Sequence, residues 1–154
     1  MRFCLWIFAW LCLASTPVTA DMKDRDGWVV IATQQAHADL VASTRAAIKA
    51  NGLIVVTQAG PTKAAAARGI EIPGNTVIGA FNNDFAVRLL QLSTPAMIEA
   101  PIRFYVTENA DGTATLSYKT PSFVLSPYAE DGVVNIAAEL DAIFDAISEQ
   151  AVSP

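Results

Sequence analysis

Strand-type and helix-type hydrophobic patterns alternate along this chain, and the alternation is the feature that most restricts its fold. Apolar, β-branched runs bounded by polar residues predict strands. Apolar residues that recur every three or four positions predict helices, as between Asp39 and Ala50, where Asn51-Gly52 follows as a stop signal. Alternating elements favour some parallel strand pairing. The predicted strands are 28–32, 53–57 and 76–81, and the predicted helices are 39–50, 61–69, 82–92 and 133–147.

A hairpin is predicted between the third and fourth helices. Residues 102–107 and 113–119 alternate between apolar and polar side chains, and the segment 109–112 between them has turn chemistry. A hairpin forces an antiparallel pair of strands. We therefore predict an α/β (α+β) fold, with a mixed β-sheet of about five strands and helices packed mainly on one face. The amphipathic C-terminal helix should lie against that sheet.

The first twenty residues have the three parts of a secretory signal peptide. Arg2 gives the positive start, an almost unbroken apolar stretch covers 3–14, and Val18-Thr19-Ala20 forms a cleavage-type triplet. The apolar stretch is shorter than the roughly 20 residues that a membrane-spanning helix needs. We expect cleavage after Ala20, a periplasmic or secreted location, and no stable membrane anchor after cleavage.

The expected mature chain is acidic and free of cysteine. Both cysteines, Cys4 and Cys12, lie within the signal peptide, so packing rather than disulfides must stabilise the domain. Residues 21–26 are mostly charged and should form a flexible leader, and 27–150 suits a single domain. The formal net charge is -5 and basic residues are scattered, which argues against nucleic acid or an anionic membrane as a partner.

Familiar catalytic and metal-binding patterns are missing from the sequence. His37 is the only histidine, so a Ser-His-Asp site would need it as the base, and no Gly-x-Ser-x-Gly elbow is present. Zinc and copper sites draw on several Cys, His or Met side chains, which are scarce here. The closely spaced Asp21, Asp24 and Asp26 lack the later glutamate of a calcium loop. We predict no metal and no cofactor.

Some polar and aromatic residues are candidates for a site. Asn82 stands at a predicted helix start, where free backbone amides can bind an anion and where an asparagine can equally act as a cap. Glu71 and Glu99 could form a paired-carboxylate acid-base site, although their spacing does not show that they meet. Tyr105 and Tyr118 lie one on each arm of the hairpin. The polar face around Tyr105 could line a cleft or form the outer side of a half-buried sheet.

Several short motifs occur in a characteristic order between 27 and 128. They are Ala46 to Leu53, Ala64 to Gly69, Asn82, Leu89-Leu90-Gln91, Ala100-Pro101-Ile102, Asp111-Gly112, Ser117-Tyr118 and Pro121. Through these motifs the chain resembles the bacterial family called domain of unknown function 302. The resemblance implies a compact α/β domain with a tendency to pair as a homodimer, and it brings no established activity.

The chain departs from the family pattern at two places. Many relatives have an Asp-His pair after the second strand, where this sequence reads Gly60-Pro61. Relatives often show Gly-Asn-Pro after the third strand, where this chain has Phe81-Asn82-Asn83. The resemblance therefore carries over only Asn82 and Gln91 as candidate site residues.

Three hypotheses for the function follow from these observations. The leading one is a non-enzymatic protein of the cell envelope that binds a small ligand, near Asn82, Gln91, Tyr105 and Tyr118, or assists an envelope partner protein. The second is an acid-base hydrolase that uses His37 or the two glutamates. The third is a homodimeric interaction module whose contact is a sheet edge or the C-terminal helix.

Expression of the whole chain in an exporting bacterial host should yield a product that begins at Asp21, because the signal peptidase cuts after small residues. Intact mass and N-terminal sequencing of the periplasmic fraction measure this. The variant Ala20→Arg, with a large charged side chain at the cut, should accumulate uncleaved. Recovery of the wild-type product with Met1 still attached would contradict the assignment.

Overall fold

The computed structural model describes residues 22–128 and 130–153, so the expected signal peptide lies outside the described residues. In the described part of the chain, no helix has both the length and the apolar character needed to cross a membrane. Its strands are β1 Trp28–Ala36, β2 Ile54–Ala59, β3 Asn75–Phe81, β4 Ile102–Glu108 and β5 Thr113–Lys119. Its α-helices are α1 His37–Ala50, α2 Thr62–Ala66, α3 Asn83–Leu92, α4 Pro121–Leu125 and α5 Asp131–Val152.

The five strands form one sheet in the order β1-β5-β4-β3-β2. The α/β class, the strand number and the C-terminal helix are confirmed, but the expected parallel pairing is wrong, because all four neighbouring pairs are antiparallel. The alternation of elements did make β1 and β2 run in the same direction. They occupy opposite edges, however, with three strands between them.

Helix α1 follows the predicted pattern. The five residues at helical spacing, Leu40, Val41, Thr44, Ala47 and Ile48, are all buried. The helix ends at Asn51, whose N–H donates to the Ala47 carbonyl at 3.0 Å. Gly52 follows with φ of +78°, a conformation that costs glycine little.

Helices α1 and α5 cover one face of the sheet. Phe104 of β4 stacks on Phe144 of α5 with ring centroids 4.5 Å apart, and Tyr118 of β5 packs beside both rings. A second apolar cluster joins α5 to α3 and α4 through Leu89, Leu125 and other residues. The predicted placement of the helices mainly on one face is confirmed.

The segments around 95–99 and 121–128 were not predicted to be helical. The structure has a 3₁₀ helix at Pro95–Glu99, the short α4, and a 3₁₀ helix at Ser126–Tyr128. Thr120 caps α4 by accepting a hydrogen bond from the Phe123 N–H at 3.3 Å, and Pro121 takes the first helical position. One or two turns are too short to show an apolar period, which explains the omission.

The strand registers align side chains in rows across the other face of the sheet. Side chains directly opposite in a pair of strands point to the same face. One row runs Val30, Ser117, Tyr105 and Val77. These residues lie on the face opposite α1 and α5, because they alternate with Phe104 and Tyr118.

Candidate functional site

A cleft of about 320 Å³ opens on this second face of the sheet. Strands β1, β3, β4 and β5 supply its floor, and α4 and the 3₁₀ helix before β4 supply its rim. A pocket of this volume is at the small end of the range for small-molecule sites. The lining residues are Trp28, Asn75, Val77, Glu99, Ile102, Arg103, Tyr105, Tyr118, Lys119 and Val124.

The hairpin register sets the cross-strand neighbour of Tyr105 in the floor of the cleft. It places Tyr105 of β4 opposite Ser117 of β5, so a large ring stands beside a very small side chain. Ser117 is fully buried and its hydroxyl donates to the Tyr105 carbonyl at 3.4 Å. Tyr105 remains half-buried, which leaves part of its ring available to a ligand.

Trp28 is held at the edge of the cleft by a turn. Gly27 has φ of +72°, and a Cβ there would lie 2.0 Å from the ring of Phe123, so a larger residue would be strained and would displace that ring. The Gly27 carbonyl accepts from the Thr120 N–H at 2.9 Å, and the Trp28 N–H donates to the Arg25 carbonyl at 2.9 Å. These bonds hold the backbone of Trp28 at the edge of the sheet beside β5.

The cleft has cationic and apolar walls. Arg103 and Lys119 are exposed at one end, and the Lys119 ammonium lies 5.6 Å from the centre of the Trp28 ring. The Arg25 guanidinium lies 5.7 Å from the same ring. Since a cation over an aromatic face is attracted to it, these contacts hold both cations beside the Trp28 ring.

Tyr118 reaches the cleft but is mainly a core residue. Its ring is 2% exposed, and its hydroxyl donates to the Asp145 carboxylate at 2.8 Å. Burial, together with the neighbouring Asp145, raises the pKa of Tyr118 to about 12. Its ring and its hydroxyl pack toward α5 on the helical face, so Tyr118 offers the cleft no polar contact.

Asn82 lies in a different place from the two tyrosines. It lines a small apolar cavity of about 40 Å³ between the sheet, α3 and α5. Its side-chain oxygen accepts from the N–H groups of Asp84 and Phe85, and its amide donates to the Gly52 carbonyl at 3.0 Å. The capping alternative explains Asn82.

Gln91 is exposed near the end of α3 and lines neither the cleft nor the small cavity. The structure thus brings together only Tyr105 and Tyr118 of the four predicted ligand-binding residues. Glu99 and Ile102 line both spaces, so the cleft and the cavity are neighbours.

His37 begins α1 at one end of the sheet. Its Nε2 lies 3.3 Å from the Thr76 hydroxyl, and its ring fills the space in which a Cβ of Gly74 would stand. The Glu108 carboxylate accepts from the Gly74 N–H at 2.6 Å in the same corner. Glu108 was not among the predicted candidates.

The two predicted glutamates, Glu71 and Glu99, lie at opposite ends of the sheet. Glu71 is exposed on the segment before β3, on the side of His37. Glu99 precedes β4, and it accepts from the Tyr128 hydroxyl at 3.1 Å. The seven residues of β4 separate the two ends by roughly 20 Å at the usual rise per residue. Glu71 and Glu99 are therefore too far apart to share one proton-transfer site.

Sequence reasoning missed Trp28, Asn75, Val77, Lys119 and Val124 as cleft residues. The sequence did contain a signal for Lys119. If Asn109 pairs with Thr113 across the hairpin, the same antiparallel register places Lys119 opposite Arg103. No local pattern predicted Trp28 as a cleft residue, because its partner in β5, Lys119, lies more than eighty positions away along the chain. In 22–128 and 130–153, no three His, Cys, Asp or Glu side chains are grouped as a metal site would require.

The fold is a two-layer α/β domain in which helices cover one face of an antiparallel sheet and the cleft opens on the other. The chain belongs to the family described as Domain of unknown function DUF302, which matches residues 29–151. No curated protein matches the chain.

A solved structure shares the fold. It is the crystal structure of an uncharacterized conserved protein DUF302 from Bacillus stearothermophilus, with a TM-score of 0.74 and 15% sequence identity. The match covers 82% of this chain and 99% of that chain.

The raised pKa of Tyr118 predicts how stability depends on pH. The folded pKa of about 12 exceeds the ordinary value of 10.0, so this contribution is complete below pH 10 and is lost as the pH rises toward 12. Tyr118→Phe should remove this loss, while costing about 1 kcal/mol near neutral pH through the missing hydrogen bond. Urea unfolding across alkaline pH measures both effects.

Tyr105→Phe is the matched control, because it removes a hydroxyl from the opposite face of the same hairpin. It should keep the wild-type decline above pH 10. If wild type and Tyr118→Phe lose stability in parallel across this range, ionisation of the Tyr118 hydroxyl is not the cause of the loss.

Proposed function

We propose that this domain is a non-enzymatic binding protein of the cell envelope, exported by its signal peptide, that holds a small amphipathic ligand in the sheet cleft. One observation carries the proposal: a cleft of about 320 Å³ on a sheet face opposite α1 and α5, lined by Trp28, Tyr105 and Val77 beside Arg103 and Lys119. Apolar walls with a few polar groups are the usual composition of a ligand site.

The position of the walls supports binding rather than acid-base chemistry. Glu99 is the one carboxylate among the residues that line the cleft, and its oxygen already accepts from Tyr128. His37 lies at the other end of β4, with Thr76 and Gly74. An acid-base pair needs both groups within hydrogen-bond or one-water reach of the substrate.

The neutral probe 2-naphthamide should bind in the cleft of a chain comprising residues 21–154. Trp28 is the sole tryptophan of that chain, so quenching of its fluorescence reports occupancy beside it. Val77→Phe fills the cleft and should weaken binding about tenfold or more, because an occupied cavity cannot accept the ring. Titration calorimetry gives the affinities independently of fluorescence.

Val87→Phe is the matched control, since Val87 is 54% exposed on α3, away from the cleft. It should leave the affinity unchanged. Binding of 2-naphthamide to Val77→Phe with the wild-type affinity would overturn the proposal that the cleft is the site.

The second candidate function is a homodimeric interaction module, and the exposed edge of the sheet favours it. Strand β2 is an edge strand whose six residues, Ile54–Ala59, include no charge. Ile54 is 52% and Val56 is 44% exposed. Edge strands usually carry a charge that blocks pairing with another chain, so β2 is suited to antiparallel pairing with its own copy about a twofold axis.

Sedimentation velocity tests this contact. The wild-type chain should be dimeric at micromolar concentration, and Val56→Lys should be monomeric because it places a charge on the pairing edge. Val87→Lys, the same change on α3, should remain dimeric. A wild-type chain that is monomeric throughout, or a Val56→Lys variant that stays dimeric, would rule out this interface.

A further inference from the structure

We infer that the cleft takes a carboxylate-bearing amphipathic molecule, with Arg103 and Lys119 binding the carboxylate and the aromatic walls contacting a flat apolar body. The inference rests on the proposed function and adds the chemical class of the ligand.

The hairpin register places two cations side by side. Phe104 pairs with Tyr118 and Tyr105 with Ser117, so the next position of the same register sets Arg103 opposite Lys119. Like charges at directly opposite strand positions destabilise a sheet. An anion bound between the two side chains removes that repulsion.

Neither cation is held in a salt bridge within the described residues, where one ion pair closer than 4.0 Å is formed, between Arg88 and Glu139 on the helical side. Glu99 is the one carboxylate that lines the cleft, and its oxygen accepts from the Tyr128 hydroxyl at 3.1 Å. Two adjacent cations at a cleft, without a salt-bridge partner, mark a place where an external anion binds favourably.

The shape and charge of the cleft limit the class of anion. An arginine can hold a carboxylate through two parallel hydrogen bonds, and a lysine adds a point charge. Two cations do not suffice for a polyphosphate or a nucleic acid, which need several. The remaining walls, Trp28, Tyr105 and Val77, match a flat apolar body. A volume of about 320 Å³ has room for roughly ten water-sized groups at about 30 Å³ each.

The test compares 2-naphthoate with its neutral counterpart 2-naphthamide on residues 21–154, read by Trp28 quenching and by calorimetry. Naphthoate should bind about tenfold more tightly, because hydrogen bonds between charged groups are roughly twice as strong as neutral ones. Arg103→Gln and Lys119→Gln should each remove most of this preference, because each lowers the affinity for naphthoate far more than the affinity for naphthamide. Added salt should weaken naphthoate binding alone, since these charges are exposed.

Two further variants control the experiment. Arg45→Gln, on α1 at the helical face, should leave both affinities at their wild-type values. Arg103→Lys keeps the charge but loses the bidentate hydrogen bond of the guanidinium, so it should retain part of the preference for naphthoate. Thermal unfolding of each variant confirms that the fold is intact before affinities are compared.

The outcomes separate the inference from the function on which it rests. Equal affinity for the two probes, with both still weakened by Val77→Phe, would overturn the carboxylate class and leave the cleft as a binding site. If neither probe binds, both are overturned. If Trp28 emission changes only with protein concentration, a second copy covers this face, and both are again overturned.

Discussion

The stacking of Phe104 on Phe144 joins the sheet to its helices, and the rest of the structure depends on that contact. It brings the central strand β4 against α5 with ring centroids 4.5 Å apart, in the offset or stacked range that aromatic pairs prefer. Tyr118 extends the cluster from β5 and ties its hydroxyl to α5 through Asp145. The long helices α1 and α5 thus bury their apolar sides on one face of the sheet.

A core built on one side of a sheet leaves the other side to be covered by the sheet's own side chains. Small residues such as Ser117 are buried there between larger neighbours, and rings such as Tyr105 stand above them. The cleft lies where this face of the sheet meets α4 and the 3₁₀ helix before β4, which form its rim.

Much of this fold could be predicted from local sequence. The spacing of Leu40, Val41, Thr44, Ala47 and Ile48 is the period of a helix buried on one side, and all five are buried. The turn residues at 109–112 specify the hairpin, where Gly112 has φ of +83° and Asp111 accepts from the Thr113 N–H at 3.0 Å. These signals act within a few residues, so the sequence shows them directly.

The strand order and most of the site could not be predicted in this way. Whether β1 lies beside β2 or beside β5 depends on contacts between residues far apart in the chain, and periodicity carries no information on them. Trp28 joins the cleft only because β1 pairs with β5. For Asn82 the sequence allowed two roles, ligand binding and helix capping. The structure explains it as a cap, because its side chain accepts from two backbone N–H groups.

Glu99 and Ile102 lie between the two spaces on either side of the sheet. They line the open cleft on one side and the small apolar cavity beneath α3 and α5 on the other. Protein interiors are densely packed, so a change in the size of Ile102 alters both spaces at once. The start of β4 is therefore the place where the exposed floor of the cleft meets the helical layer behind it.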